Sequence, residues 1–319
     1  MKLLKYVLAI FAALAVPSLA NAGSWKPVGA WAADYGDDYC RLGRVFTDGK
    51  NQLELRLDRT QPGPFFRLIL IGDGIKPFRG ASTWGAKFGP TGQTWQAPIL
   101  QTKTGDGKQY YDLGSAAVTP LPAFGAPGAF GAARAPASAP GAPAAPPPPF
   151  KPYNQSDERA AAKALTGLEL GEGLTEPVQF ETGSLEAPIA ALQACMSDLV
   201  KSWGVDAKRH ETLSKPVMPQ GAPSAWVPAN TFPFSEFAKL NGGKNAIRVM
   251  VDETGKPTSC AVQRPSLDPA MNKTACDAIM KNAKFTPALD SAGQAMPSYW
   301  ITEIFGLLPP PPGMGGGRR

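Results

Sequence analysis

Four cysteines, one histidine and a short acidic stretch are the residues of this 319-residue chain whose types and spacing suit chemistry. Cys40, Cys195, Cys260 and Cys276 are candidates for metal binding, nucleophilic attack or disulfide pairing. Metal binding is disfavoured, because no Cys-x-x-Cys spacing occurs and His210 is the only imidazole. The same histidine would have to serve any Ser/His/Asp arrangement, and no Gly-x-Ser-x-Gly elbow accompanies a serine. Asp34, Asp37 and Asp38 lack the spacing of a calcium loop and read as a solvated turn.

One further stretch invites an enzymatic reading. VQFETGSL, residues 178–185, is similar to the hydrophobic-Asp-Thr-Gly-Ser loop of aspartic proteases, which need two carboxylates sharing one proton. Here Glu181 stands at the acidic position, the loop occurs once, and Thr182-Gly183-Ser184 is common turn chemistry. The expectation is a non-enzymatic protein without cofactor or metal; an envelope hydrolase working through Glu181 or His210 is the remote alternative.

The cysteines read best as disulfides, and the N-terminus supplies the reason. Residues 1–22 carry Lys2 and Lys5, an apolar run from Tyr6 to Val16, and small residues at Ala20 and Ala22, the layout of a secretory signal peptide. The run is shorter than the roughly 20 apolar residues of a membrane span. The expected location is the periplasm, with cleavage after Ala22 and no transmembrane segment in the mature chain; an uncleaved anchor in the inner membrane is the alternative. An exported chain meets an oxidising compartment. Four cysteines permit three pairings. Proximity favours Cys260 with Cys276, which leaves Cys40 with Cys195. The formal net charge of +6 is small and scattered, which suits solubility and argues against a nucleic-acid partner.

The elements that would position these residues fall into blocks. Residues 23–117 and 154–212 read as a β-rich N-terminal domain with one long helix. In residues 52–58, Leu53, Leu55 and Leu57 alternate with charged residues, and residues 65–72, FFRLILIG, form a second strand beyond the turn residues 61–64. Residues 156–165 look helical with Ser156 as cap, and in 186–203 Ile189, Leu192, Cys195 or Met196, Leu199 and Trp203 recur at helical spacing. Residues 118–153 are Pro/Ala/Gly-rich, with eleven prolines between 118 and 152, too many for a regular ladder. A Cys40 to Cys195 bridge would make that segment an insertion within one domain. Residues 213–229 read as a Pro-rich hinge and 309–319 as a flexible Pro/Gly tail.

Residues 230–308 are the most informative. Ile247, Val249 and Val251 alternate with Arg248 and Met250, a turn follows around Gly255, and Cys260 and Val262 share one face of the returning strand. Asp268-Pro269 opens a helix whose apolar stripe holds Cys276, Ile279, Met280 and Ala283. A last strand runs through Ser298, Tyr299, Trp300, Ile301, Thr302, Glu303 and Ile304. The expected class is α+β: the β-rich domain, then a small two-layer domain with an antiparallel sheet and helices on one face. A Cys260 to Cys276 bond would pin strand to helix and contribute roughly 3 kcal/mol by loop closure.

In order and motif this last unit resembles the TonB C-terminal domain family. Phe232-Pro233 stands for the family's Tyr-Pro entry, and Ile247, Val249, Val251, Asp252 and Gly255 follow its V-x-V-x-V-D-x-x-G run. Cys260-Ala261-Val262 begins the second strand and Leu267-Asp268 the helix. Residues 284–296, KFTPALDSAGQAM, are similar to its R-F-x-P-A-x-x-x-G-x-P segment, and Ile304-Phe305 ends the final strand. The resemblance implies β-augmentation: Ser298 to Ile304 would offer an edge to an extended peptide, such as the TonB box of an outer-membrane receptor, or to another envelope protein. Exchange of that strand between copies would make a homodimer. Two departures weigh against full energy transduction. The N-terminal segment is short and lacks the histidine of an energy-transducing anchor, and the proline-rich stretch lies ahead of Cys195. The expectation is a periplasmic TonB-like binding protein, with a membrane-anchored transducer for receptor-dependent uptake as the alternative.

Overall fold

The computed structural model describes residues 23–119, 153–227, 231, 244–263 and 269–305. The leader, nearly all of the proline-rich insertion, the Phe232-Pro233 entry, the helix opening at Leu267-Asp268 and the tail at 309–319 lie outside the described residues. The fold is α+β, a β-rich N-terminal unit followed by a small α/β unit.

The first unit comprises β1 (Gly23–Tyr35), β2 (Cys40–Thr47), β3 (Gln52–Arg59), β4 (Phe65–Gly72), β5 (Thr83–Gly89), β6 (Thr94–Pro98), β7 (Leu100–Lys103) and β8 (Gln109–Ala117). Helix α1 (Gln155–Lys163), β9 (Gly167–Leu170), β10 (Val178–Phe180) and helix α2 (Glu186–Ser202) follow. The strands form one ten-stranded sheet in the order β6-β5-β9-β10-β1-β2-β3-β4-β8-β7. Its two ends, β6 and β7, are separated in sequence only by Ile99, whose N–H donates to Ser82 O (2.9 Å). Trp95 Nε1 on β6 donates to Leu113 O on β8 (3.2 Å), so the sheet nearly closes on itself. Gly114 permits that approach: its φ is +77° and a Cβ there would lie 2.7 Å from the Ala97 methyl. Near-closure leaves few free edges, the usual defence of β proteins against unwanted strand pairing.

Alternation explains the interior. Leu53, Leu55 and Leu57 on β3 are fully buried, as are Phe46, Leu68 and Leu70 beside them. Helix α2 adds Ile189, Leu192, Cys195, Met196 and Leu199 to the same core. Asn154, two residues ahead of Ser156, caps α1: its side chain accepts from Ser156 N and Asp157 N, and the helix begins at Gln155. The sulfurs of Cys40 and Cys195 are bonded (1.90 Å), tying the start of β2 to α2.

Beside this bridge lies a buried polar cluster. Glu158 Oε1 accepts from Arg59 Nη2 (2.6 Å), and Oε2 accepts from Gln193 Nε2 (2.7 Å) and from the Tyr153 hydroxyl. Burial first, with the Glu158 charge, pushes the Tyr153 phenol far above its ordinary range, so it remains a donor.

The second unit comprises α3 (Ala207–His210), β11 (Met218–Pro219), β12 (Lys244–Val251), β13 (Pro257–Val262), α4 (Pro269–Asn282), β14 (Phe285–Thr286), β15 (Ala288–Leu289), β16 (Ala295–Met296) and β17 (Ser298–Phe305). Its core joins Ile247, Val249 and Val251 to Ala275, Ile279 and Phe285. Val200, Val205, Ala207, Leu213, Val217 and Trp226 belong to it as well. The two cores therefore meet within α2. Leu213, Val217 and Trp226 come from the stretch read above as a hinge. Its prolines do not prevent burial, since β11 pairs with β14 and Gln220 N finds Lys284 O (2.8 Å).

Candidate strand-docking site

β12 is the middle strand of a three-stranded antiparallel sheet, order β13-β12-β17. Its alternation assigns the faces. Ile247, Val249 and Val251 point toward α4 and are buried, whereas Arg248 and Met250 point the other way. Register carries this onto β17: Val249 faces Trp300 and Met250 faces Tyr299. On β13, Cys260 lies opposite Val249 and its sulfur is bonded to that of Cys276 on α4 (1.99 Å). The β12–β13 turn needs Gly255, whose φ is +87° and whose absent Cβ leaves room for Phe285 O, 2.2 Å from where it would lie. Hydrogen bonds from Thr254 and Lys256 hold the Asp252 carboxyl in that turn below the usual carboxylate range.

The candidate residues of the last strand are thus distributed between two surroundings. Trp300 packs with Trp226 (5.4 Å between centroids) and Phe285 (5.5 Å). Tyr299, on the opposite face, meets Trp203 edge-on (5.1 Å) and stacks on His210 (5.0 Å, 20°). Ser298 is buried, Ile301 and Thr302 are half-buried, and Glu303 and Ile304 continue the pairing opposite Ala246 and Asn245. Among the described residues β17 pairs with β12 alone. Among the described residues nothing pairs with its outer main-chain groups, along eight residues that contain no proline. The other edge strand, β13, begins at Pro257, which lacks an N–H, and runs at its far end into Gln263, which is tied to the first unit.

That tie forms the junction between the units. The β1–β2 turn presents Asp38, whose carboxylate accepts from Arg248 Nη1. Gln263 Nε2 donates to Asp38 O (3.3 Å) and Thr60 O (3.0 Å). The Arg248 guanidinium lies 4.0 Å from the Trp203 ring centre, a cation–π contact. Sequence reasoning found neither this clamp nor the roles of Trp203 and His210. Asp38 and Arg248 are 210 residues apart, and no local pattern marks such a pair.

The other sequence candidates are dispersed. Glu181 follows β10 and accepts from Ser24 Oγ, while Thr182 is buried and Gly183 takes positive φ in the turn. Asp34 accepts from the Tyr39 hydroxyl (3.0 Å), apart from Asp38 and its partner Arg248. Among the described residues no three His, Cys, Asp or Glu side chains group to hold a metal ion. His210 is not poised as a base: burial pushes its imidazole down to about 4. No helix among the described residues is long and apolar enough to cross a membrane.

Residues 228–303 match the family described as the Gram-negative bacterial TonB protein C-terminal. The match spans about a quarter of the chain and contains β12, β13, α4 and most of β17. No curated protein and no solved structure matches the chain.

Proposed function

We propose, taking the TonB C-terminal module as premise, that this is a periplasmic, non-enzymatic cell-envelope protein which binds an extended segment of another envelope protein by adding it as a strand to β17. The observation that supports this reading is that β17 pairs on one side only among the described residues, with Ser298 to Ile304 as the docking residues. A strand added there gains main-chain hydrogen bonds for affinity, while its alternate side chains face Trp300 on one side and Tyr299 on the other. Among the described residues the end strands of the N-terminal sheet, β6 and β7, are shorter, with five and four residues. A TonB-box-like segment of an outer-membrane receptor is one such partner. Both disulfides suit an oxidising location.

The test places a photo-cross-linking residue at Thr302 on β17 or at Ser259 on β13 in the full chain, expressed in the envelope. Adducts with an envelope protein from position 302 and none from 259 are expected. Equal labelling from both positions, or no adduct from β17, would sink the reading.

A further inference from the structure

The Tyr299 face of β17 is not bare sheet. It is covered by the end of α2 and by α3, which deliver Trp203 and His210 onto one aromatic ring. Trp203 in turn carries the Arg248 guanidinium, and Arg248 is held by Asp38 of the first unit. A continuous chain of contacts therefore runs from the β1–β2 turn through Arg248, Trp203 and Tyr299 to His210. We infer that the His210–Tyr299 stack is a proton-sensitive latch on β17: with a neutral imidazole it holds the strand against α2 and α3, and a proton on His210 releases that face. Its bearing on partner binding rests on the reading of β17 as the docking strand; the latch itself does not.

The chemistry follows from what surrounds the ring. A protonated His210 would place a second cation beside the aromatic pair that already bears Arg248. A cation over the Tyr299 face gains some cation–π energy. Desolvation outweighs that gain, since burial depresses the imidazole well below its ordinary value. The acidic groups on the elements that meet here are engaged elsewhere. Asp38 is paired with Arg248. Asp290 accepts from Arg209 Nη2 (2.6 Å), and this bond is the first cause holding its carboxyl below the usual range. Glu211 accepts from Gln155 Nε2 (3.0 Å) and Ser197 Oγ (3.3 Å), and Asp206 caps α3 through Arg209 N (3.0 Å). Lys208, exposed on α3, adds a further positive charge to the helix that carries the ring. Tyr299 cannot compensate by ionising, because burial raises its phenol far above neutral pH.

An imidazole that titrates near 6.5 when released and at about 4 when stacked raises the released population roughly thirtyfold between pH 7.5 and pH 5. Asp290, held ionised by Arg209, does not titrate in that window in the folded chain.

The experiment measures backbone amide hydrogen exchange of the full oxidised chain at pH 7.5 and pH 5, corrected for intrinsic rates, with β2 and β3 amides as internal reference. In the wild type, β17 protection should fall by roughly thirtyfold relative to that reference, the factor expected from the two imidazole values above. In His210→Phe, which keeps an aromatic stack without a titrating group, it should stay level; His210→Gln supplies a second non-titrating variant should the larger ring perturb packing. Constant β17 protection in the wild type, or an equal fall in the non-titrating variants, overturns the latch. Because no ligand enters the measurement, its outcome is independent of the cross-linking test.

Discussion

Glu158 has no exposed surface, and its carboxylate gathers donors from Arg59 on β3, Tyr153 ahead of α1 and Gln193 on α2. Removing one member of a buried ion pair strands the other, at a cost of about 3–5 kcal/mol, whereas replacing both with apolar residues is often near neutral. Glu158→Ala should therefore lower unfolding stability by about that much in urea melts, and Arg59→Met/Glu158→Leu should recover most of the loss. If the single variant is neutral, the network has been misjudged. Gly255 is the other position where one side chain decides the outcome. Gly255→Ala adds a methyl against the Phe285 carbonyl at unfavourable φ, and a loss of about 1–3 kcal/mol is expected from the same melts. The turn at Gly255 was legible in the sequence, whereas the role of Glu158 was not, because Arg59 and Gln193 lie 99 and 35 residues from it. Period-two alternation at Ile247, Val249 and Val251 shows which side of β12 is inside, yet says nothing of what Arg248 on the other side will meet.

At the level of elements, legibility followed periodicity. β3, β12 and α2 are visible as repeats of apolar residues, because each buries one face, and β4 as an unbroken apolar run, because Leu68 to Ile71 are all buried. β1 is not: Val28 and Tyr35 are exposed, and the strand changes partner, pairing in parallel with β10 at Gly23 to Trp25 and antiparallel with β2 beyond. A strand that changes partner midway leaves no single alternating record. The stretch around Val217 and Trp226 is rich in proline, so its composition suggests a connection while its side chains enter a core. The two disulfides join elements that alternation alone would leave loosely related. In the loop-closure picture, Cys260–Cys276, spanning 16 residues, contributes about 3 kcal/mol, and Cys40–Cys195, spanning 155, up to about 5. Chemical denaturation of the Cys260→Ala/Cys276→Ala and Cys40→Ala/Cys195→Ala double variants should show the second to be the more costly. The reverse order would mean that strain or residual structure in the unfolded chain outweighs loop length.

For the whole molecule, the decisive feature is that α2 lends residues to both cores: Leu199 packs in the first and Val200 in the second. With the Asp38–Arg248 pair and Gln263 added, the two units share a helix and a polar clamp, and a single calorimetric transition is expected for the oxidised chain. Two resolved transitions would show that the cores unfold separately. Stability should also depend on acidity in a definite direction. Between about pH 6.5 and 4 the unfolded imidazole of His210 binds a proton that the folded one does not, so stability rises with pH across that window and this group adds nothing further above it. Between pH 7 and pH 5 the effect amounts to about 2 kcal/mol, read from urea midpoints, and should disappear in His210→Phe.

The bond between Cys40 and Cys195 bears on traction as well as on folding. If a receptor segment hydrogen-bonded along β17 is pulled, tension passes through the ladder to β12, from Arg248 to Asp38, and through the shared helix to a covalent anchor at the mouth of the N-terminal sheet. A module hung on a slack tether would trail its cargo; one braced in this way can hold it at a set distance and orientation from the larger unit.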